Sequence, residues 1–126
     1  MNTGAARLLR VLGLAAVIVI AVLSLVPNEL RPHVGPKLLE HFSAYFGAAA
    51  LLALAWPQRS AVIVLALPAY SAALEIAQLW VPGRTTSFAD FAASSLGACL
   101  GVVLVWAARR TFFRSRLSPA APPGSG

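Results

Sequence analysis

Apolar residues along the chain gather into four runs of about twenty positions, each closed by a proline, a glycine or a pair of arginines. The first runs from Leu8 to Val26, broken only by Arg10, and stops at Pro27-Asn28. The second runs from Leu38 to Trp56, opened by Gly35-Pro36 and closed by Pro57. The third runs from Ala61 to Trp80 and ends at Val81-Pro82-Gly83; the fourth runs from Phe88 to Ala108 and ends at Arg109-Arg110. At about 1.5 Å per residue, each is long enough as a helix to cross a hydrocarbon core of roughly 30 Å. The pattern predicts an all-α, polytopic bundle of four transmembrane helices over 8–26, 38–56, 61–80 and 88–108. Pro68 falls inside the third helix, where it removes a backbone donor, predicts a kink and leaves the Val64 carbonyl to find another partner. Arg7 and Arg10 give the first run a signal-like start. No small-x-small cleavage pattern follows, so it is expected to stay as the first helix.

Composition agrees with that pattern. Hydrophobic residues make up 59% of the 126 residues and charged ones 11%, too apolar for a soluble domain of this size to bury. One domain over 1–116 is expected, with a Pro/Gly/Ser-rich tail over 117–126 that should stay disordered. Basic residues set the orientation. Arg7, Arg10, Arg59, Arg109, Arg110, Arg114 and Arg116 fall on one side of the predicted spans, and Arg31, Lys37 and Arg84 on the other. This asymmetry predicts both termini in the cytoplasm, an N-in/C-in topology, in a multi-pass protein of a bacterial inner membrane. Trp56, Trp80 and Trp106 stand at predicted helix ends, where the indole ring prefers the headgroup region. The formal charge of +6 is thereby topology rather than a phosphate-tracking surface, and no nucleic-acid partner is expected.

On this topology every acidic residue comes to the outer side. Glu29 lies in the first outer loop, Glu40 near the start of helix two, Glu75 toward the end of helix three and Asp90 in the first turn of helix four. His33, His41, Tyr45, Gln78, Arg84, Thr85, Thr86 and Ser87 share that layer. Glu75 stands roughly 9 Å below its helix end. An ionised carboxylate facing lipid at that depth costs several kcal/mol, so Glu75 is expected to face inward, with Gln78 on the same face and Arg84 reaching back as its cation. Arg84 would neutralise one of Glu75 and Asp90, with all three in one charge cluster.

Each of these residues also has a purely structural role open to it. Glu75 can simply hydrogen-bond between helices. Ser87-Phe88-Ala89-Asp90 fits a capping box, and Glu40 suits the positive end of helix two. His41 and Tyr45, four apart, share a helix face and can be ordinary hydrogen-bonding residues. Without HExxH, CxxC or paired-histidine spacing, no metal and no cofactor are expected. Cys99 is the single cysteine, so an intramolecular disulfide is excluded. No serine has a nucleophile-elbow context. Gly97-x-x-x-Gly101, extended by Ala93 and Ser94, is a signal for close helix packing.

Glu75-Ile76-Ala77-Gln78-Leu79-Trp80-Val81-Pro82-Gly83-Arg84, then Ser87, Asp90 and the glycine-rich helix, resembles the signature of VanZ-like membrane proteins. Leu39-Glu40-His41-Phe42-Ser43-Ala44-Tyr45-Phe46 is similar to that family's earlier His-Phe-x-x-Tyr segment, and the resemblance covers about Pro36 to Val103. It carries over Glu40, His41, Tyr45, Glu75, Gln78, Arg84, Ser87 and Asp90 as candidate ligand-binding residues. One position departs: an Asp-Lys pair often precedes the family's histidine, whereas here Pro36 precedes Lys37, and Lys37 is not carried over. The family takes its name from a member associated with low-level resistance to the glycopeptide teicoplanin. The resemblance therefore implies a place in the bacterial cell envelope, with a link to glycopeptide susceptibility, rather than a particular reaction.

These observations lead to one expected function, an outer-leaflet polar site that binds or modifies a lipid or lipid-linked cell-wall molecule. Whether a reaction is catalysed is left open; a catalytic version would use Glu75 or Asp90 with His41. Two alternatives stand beside it. One is a structural or accessory subunit on a larger membrane partner, and the other an ion-coupled transporter built as a homo-oligomer.

Overall fold

The computed structural model describes residues 3–32 and 35–117. Its helices are α1 (Thr3–Leu25), α2 (Lys37–Ala55), α3 (Ser60–Ala77) and α4 (Phe88–Leu117), with short 3-10 turns at Asn28–Leu30, Pro57–Arg59 and Gln78–Trp80. No strand occurs among the described residues. Four helical segments, Thr3–Leu25, Lys37–Ala55, Pro57–Trp80 and Phe88–Phe112, are long and apolar enough to cross a membrane. The expected stretches 61–80 and 88–108 lie inside these segments, while 8–26 and 38–56 each run one residue past theirs, to Val26 and Trp56.

Helix ends differ from the hydrophobic runs where local propensity carries the helix further. α1 starts at Thr3 rather than Leu8, because Ala5 and Ala6 are strong helix formers. α4 continues past Ala108 to Leu117, since no glycine or proline interrupts Arg109–Leu117. Leu117, expected to open the tail, is therefore helical, and the rest of that tail, 118–126, lies outside the described residues. The last helical turn of α3 tightens to 3-10 geometry over Gln78–Trp80. α3 continues through Pro68 as one helix.

Small side chains bring α2 and α4 together in the most extensive contact of the bundle. A Cβ on Gly97 would fall on the Phe42 carbonyl, and one on Gly101 would lie 2.5 Å from the Phe46 carbonyl oxygen and 3.0 Å from the Ala49 Cβ. Ala48, Ala49, Ala53 and Ala98 are buried along the same contact, with Val102 and Val105 below them. Ile63, Leu67 and Leu74 of α3 and Ile20 of α1 complete the core. Large apolar residues such as Val11, Ile18, Leu65, Leu96 and Val103 point outward, as expected of a surface whose solvent is hydrocarbon. α1 is tied to α3 by the Tyr70 hydroxyl, which donates to the Val17 carbonyl at 2.8 Å.

The two ends of the bundle differ in chemistry. At one, Arg10 lies 5.5 Å from the Trp56 ring and Arg110 4.0 Å from the Trp106 ring, cation–π pairs that fix indoles and guanidinium groups together. The other end carries the α1–α2 and α3–α4 connections and all four acidic residues of the chain.

Candidate functional site

α2 and α4 both begin at the polar end, and α3 finishes there, so three helix termini deliver His41, Asp90 and Glu75 to one place. A nitrogen of His41, a carboxylate oxygen of Glu75 and one of Asp90 all lie within 4.8 Å of one another. Asp90 is 2% exposed, while His41 and Glu75 are half-buried. The His41 Nδ1 is 3.2 Å from the Ser94 Oγ, and Ser94 is buried one helical turn beyond Asp90. α4 thereby supplies both a carboxylate to the cluster and the group that orients the imidazole.

The cation on Asp90 is Lys37. Its Nζ stands 2.5 Å from Asp90 Oδ2 and donates to the Thr85 carbonyl at 3.1 Å. Lys37 is the first residue of α2, so its long stem can cross to the start of the neighbouring helix. The resemblance did not carry this residue over, because the aspartate that often precedes the lysine is missing here; its place in the first turn of α2 was the only signal in the chain.

Arg84, expected to hold Glu75 or Asp90, is engaged elsewhere. Its Nε and Nη2 donate to the Ser24 carbonyl at 3.0 and 2.6 Å, and Nη2 also donates to the Leu23 carbonyl at 2.7 Å. Gln78, expected to support Glu75, donates to the same Ser24 carbonyl at 3.0 Å. The physical reason is that the last turn of α1 leaves carbonyls without intrahelical donors and carries the negative end of the helix dipole, a natural seat for a guanidinium. Burial, followed by the positive charge of Arg31, pushes the Arg84 guanidinium below its ordinary value, while Glu75, Asp90 and Glu40 pull the other way. A guanidinium nevertheless remains charged in a protein. Gly83 at φ +72° makes the turn that aims this side chain back at α1.

Glu75 finds its partner in the backbone. Its Oε2 accepts the Ser87 N–H at 3.1 Å, and the Ser87 Oγ accepts the Ala89 N–H at 3.2 Å. Ser87 therefore caps α4 as the sequence suggests, but the acid that completes the cap comes from α3, and Asp90 is turned to Lys37 instead. Glu40 closes the α1–α2 connection: its Oε2 pairs with Arg31 at 2.7 Å and its Oε1 accepts the Gly35 N–H at 3.0 Å. Tyr45, one turn deeper than His41, is 3% exposed and belongs to the core. Of the other outer-layer residues expected, His33 lies outside the described residues.

Two openings reach this cluster. A groove of about 360 Å³ between α3 and α4 is lined by Ala72, Glu75, Ile76, Leu79, Thr86, Ser87, Phe88 and Phe91. A second cavity of about 370 Å³ reaches His41 from the α1 side, past Ile20, Leu23, Ser24, Arg31, Glu40 and Tyr45. Both have largely apolar walls that end on charged groups.

A family profile described as VanZ/LLP1 matches residues 23–110. No curated protein and no solved structure matches the chain. The matched stretch begins at the Leu23–Ser24 carbonyls that hold Arg84 and ends beyond the α2–α4 contact, so it contains every group of the cluster. The chain belongs to the VanZ/LLP1 family.

Proposed function

We propose that the protein binds, or chemically modifies, an amphipathic envelope molecule whose polar headgroup sits at the His41–Glu75–Asp90 cluster and whose chain lies in the α3–α4 groove. One observation carries this reading: Glu75 belongs to both places, lining the groove and standing in the charged cluster. A ligand lying along Ile76, Leu79, Phe88 and Phe91 would therefore meet a carboxylate at the end of its apolar part. Phe88, 82% exposed, extends the apolar wall into the surroundings, where a lipid can enter from the side. An apolar pocket with a few convergent polar groups is the usual form of a small-molecule site.

The arginine asymmetry supports placing this end at the outer face of a bacterial inner membrane, with both termini cytoplasmic. A lipid or lipid-linked cell-wall intermediate is the ligand class that fits such a position, and a contribution to glycopeptide susceptibility would follow from altering it.

Native mass spectrometry of the detergent-extracted protein tests the reading. A retained lipid is expected on the wild type, and Ala72→Trp, which adds an indole to the groove wall one helical turn before Glu75, should release it. Retention of the same lipid by Ala72→Trp would remove the groove from the proposal. Incubation with labelled lipid-linked precursors then separates modification from binding.

A further inference from the structure

We propose that His41, Glu75 and Asp90 form a binding site for one divalent metal ion of the zinc or manganese class. The inference concerns these residues alone and does not depend on the lipid reading. Three helices each present one donor, and the donor atoms lie within 4.8 Å of one another. Ligands at about 2.1 Å from a tetrahedral zinc are about 3.4 Å apart, so modest side-chain rotation closes the set.

Charge supplies the second argument. The cluster holds two carboxylates, and the described cation in contact with them is the Lys37 ammonium on Asp90. Arg84 hydrogen-bonds the Leu23 and Ser24 carbonyls and reaches the carboxylates through its field alone, and Glu75 is met by a neutral backbone N–H from Ser87. A carboxylate at this depth, beside another that is 2% exposed, favours a further positive charge in direct contact with both. A dication bound by both carboxylates provides it.

The imidazole is prepared for the same task. The His41 Nδ1 lies 3.2 Å from the Ser94 Oγ; in the tautomer whose Nδ1–H donates to that hydroxyl, Nε2 keeps its lone pair for a metal, the arrangement in which the outer hydrogen bond orients a ligating histidine. One imidazole and two carboxylates suit zinc or manganese better than copper(I), which prefers thiolate or thioether ligands. Three protein ligands leave a fourth position open in a tetrahedral set, and one of the three, Glu75, also lines the α3–α4 groove. There a metal would hold a water or a phosphate oxygen.

The test uses the full chain in detergent, stripped with chelator and titrated with Zn²⁺ and then Mn²⁺, reading metal content by elemental mass spectrometry and Tm in parallel. The wild type is expected to take up one equivalent of one of these ions and to gain Tm with it. His41→Ala and Glu75→Gln should each lose stoichiometric uptake. Ser94→Ala retains all three donors and should weaken binding by about 10- to 100-fold, as loss of a partner to a ligating histidine does, which guards against variants that merely misfold. Lys37→Met should lose Tm when stripped and regain it with metal, because the dication takes over from the ammonium. No saturable uptake by the wild type, or uptake by His41→Ala and Glu75→Gln equal to it, would overturn the proposal. Because no lipid takes part, that result would leave the lipid reading standing.

Discussion

Glu75 of α3 accepts the backbone N–H of Ser87, the residue that caps α4. A side chain on one helix thus completes the start of the next, and the α3–α4 turn is closed by a carboxylate that also lines the groove. Glu75→Ala should cost about 1.5–3 kcal/mol, the range for a hydrogen bond to a charged group. Ser87→Ala should cost about 1 kcal/mol, as for an N-cap. Glu75→Gln keeps a carbonyl acceptor and should fall between wild type and Glu75→Ala. Unfolding in detergent, followed by circular dichroism, measures all three, and equal stability of Glu75→Ala and wild type would deny the cap any weight.

Lys37 and Asp90 should behave as a pair. Lys37→Met leaves Asp90 without its ammonium and is expected to cost about 1–3 kcal/mol, less than the about 3–5 kcal/mol of a fully buried pair, because the Lys37 side chain is 40% exposed. Adding Asp90→Asn to Lys37→Met should recover part of that loss. A double-mutant cycle gives the coupling directly, with about 0.5–3 kcal/mol expected for residues in contact. Strict additivity would mean that the contact contributes nothing in the membrane environment.

Arg84 should couple to Gln78 rather than to Asp90. Both Arg84 and Gln78 donate to the Ser24 carbonyl, so removing one leaves the other in place, and the double variant Arg84→Ala/Gln78→Ala should differ from the sum of the singles. The pair Arg84→Ala and Asp90→Asn should show the smaller interaction energy. The same unfolding assay decides between them, and the reverse order would restore the carboxylates as the partners of Arg84.

Gly101→Leu should be strongly damaging. Its Cβ alone would press on the Phe46 carbonyl and Ala49, and overpacking of this kind costs about 1–3 kcal/mol or more. Gly97→Ala is expected to be harmful too, because the obstacle there is backbone of Phe42 and cannot swing away. Gly47 has no atom within 4 Å of such a Cβ, and Gly47→Ala should leave Tm unchanged, which makes it the control.

Spans, polar end and cluster members were legible in the sequence because hydrophobic runs and their breaks are local signals. Leu38–Trp56 and Phe88–Ala108 lie within a residue or two of the helices or inside them. Pairings were much less legible. Lys37 and Asp90 meet only because α2 and α4 start side by side, a relation that no spacing along one helix encodes. The sequence offered Arg84 the nearest carboxylates, yet the side chain went to the end of α1, since helix-terminal carbonyls carry no mark in the chain. The same holds for His41, Glu75 and Asp90 as a donor set. Metal-binding motifs are read from donors close together in sequence, whereas these come from three helices.

The order of the ion pair along the chain has a consequence for biosynthesis. Helices emerge from the ribosome in sequence order, so the segment bearing Lys37 is made before the one bearing Asp90. The ammonium that Asp90 contacts in the finished bundle is thus synthesised before the aspartate, and the small-residue seam of Gly97 and Gly101 is what lets their two helices close together. The most buried acid of the bundle is also the last of the four acids to be made, after the lysine that it pairs with.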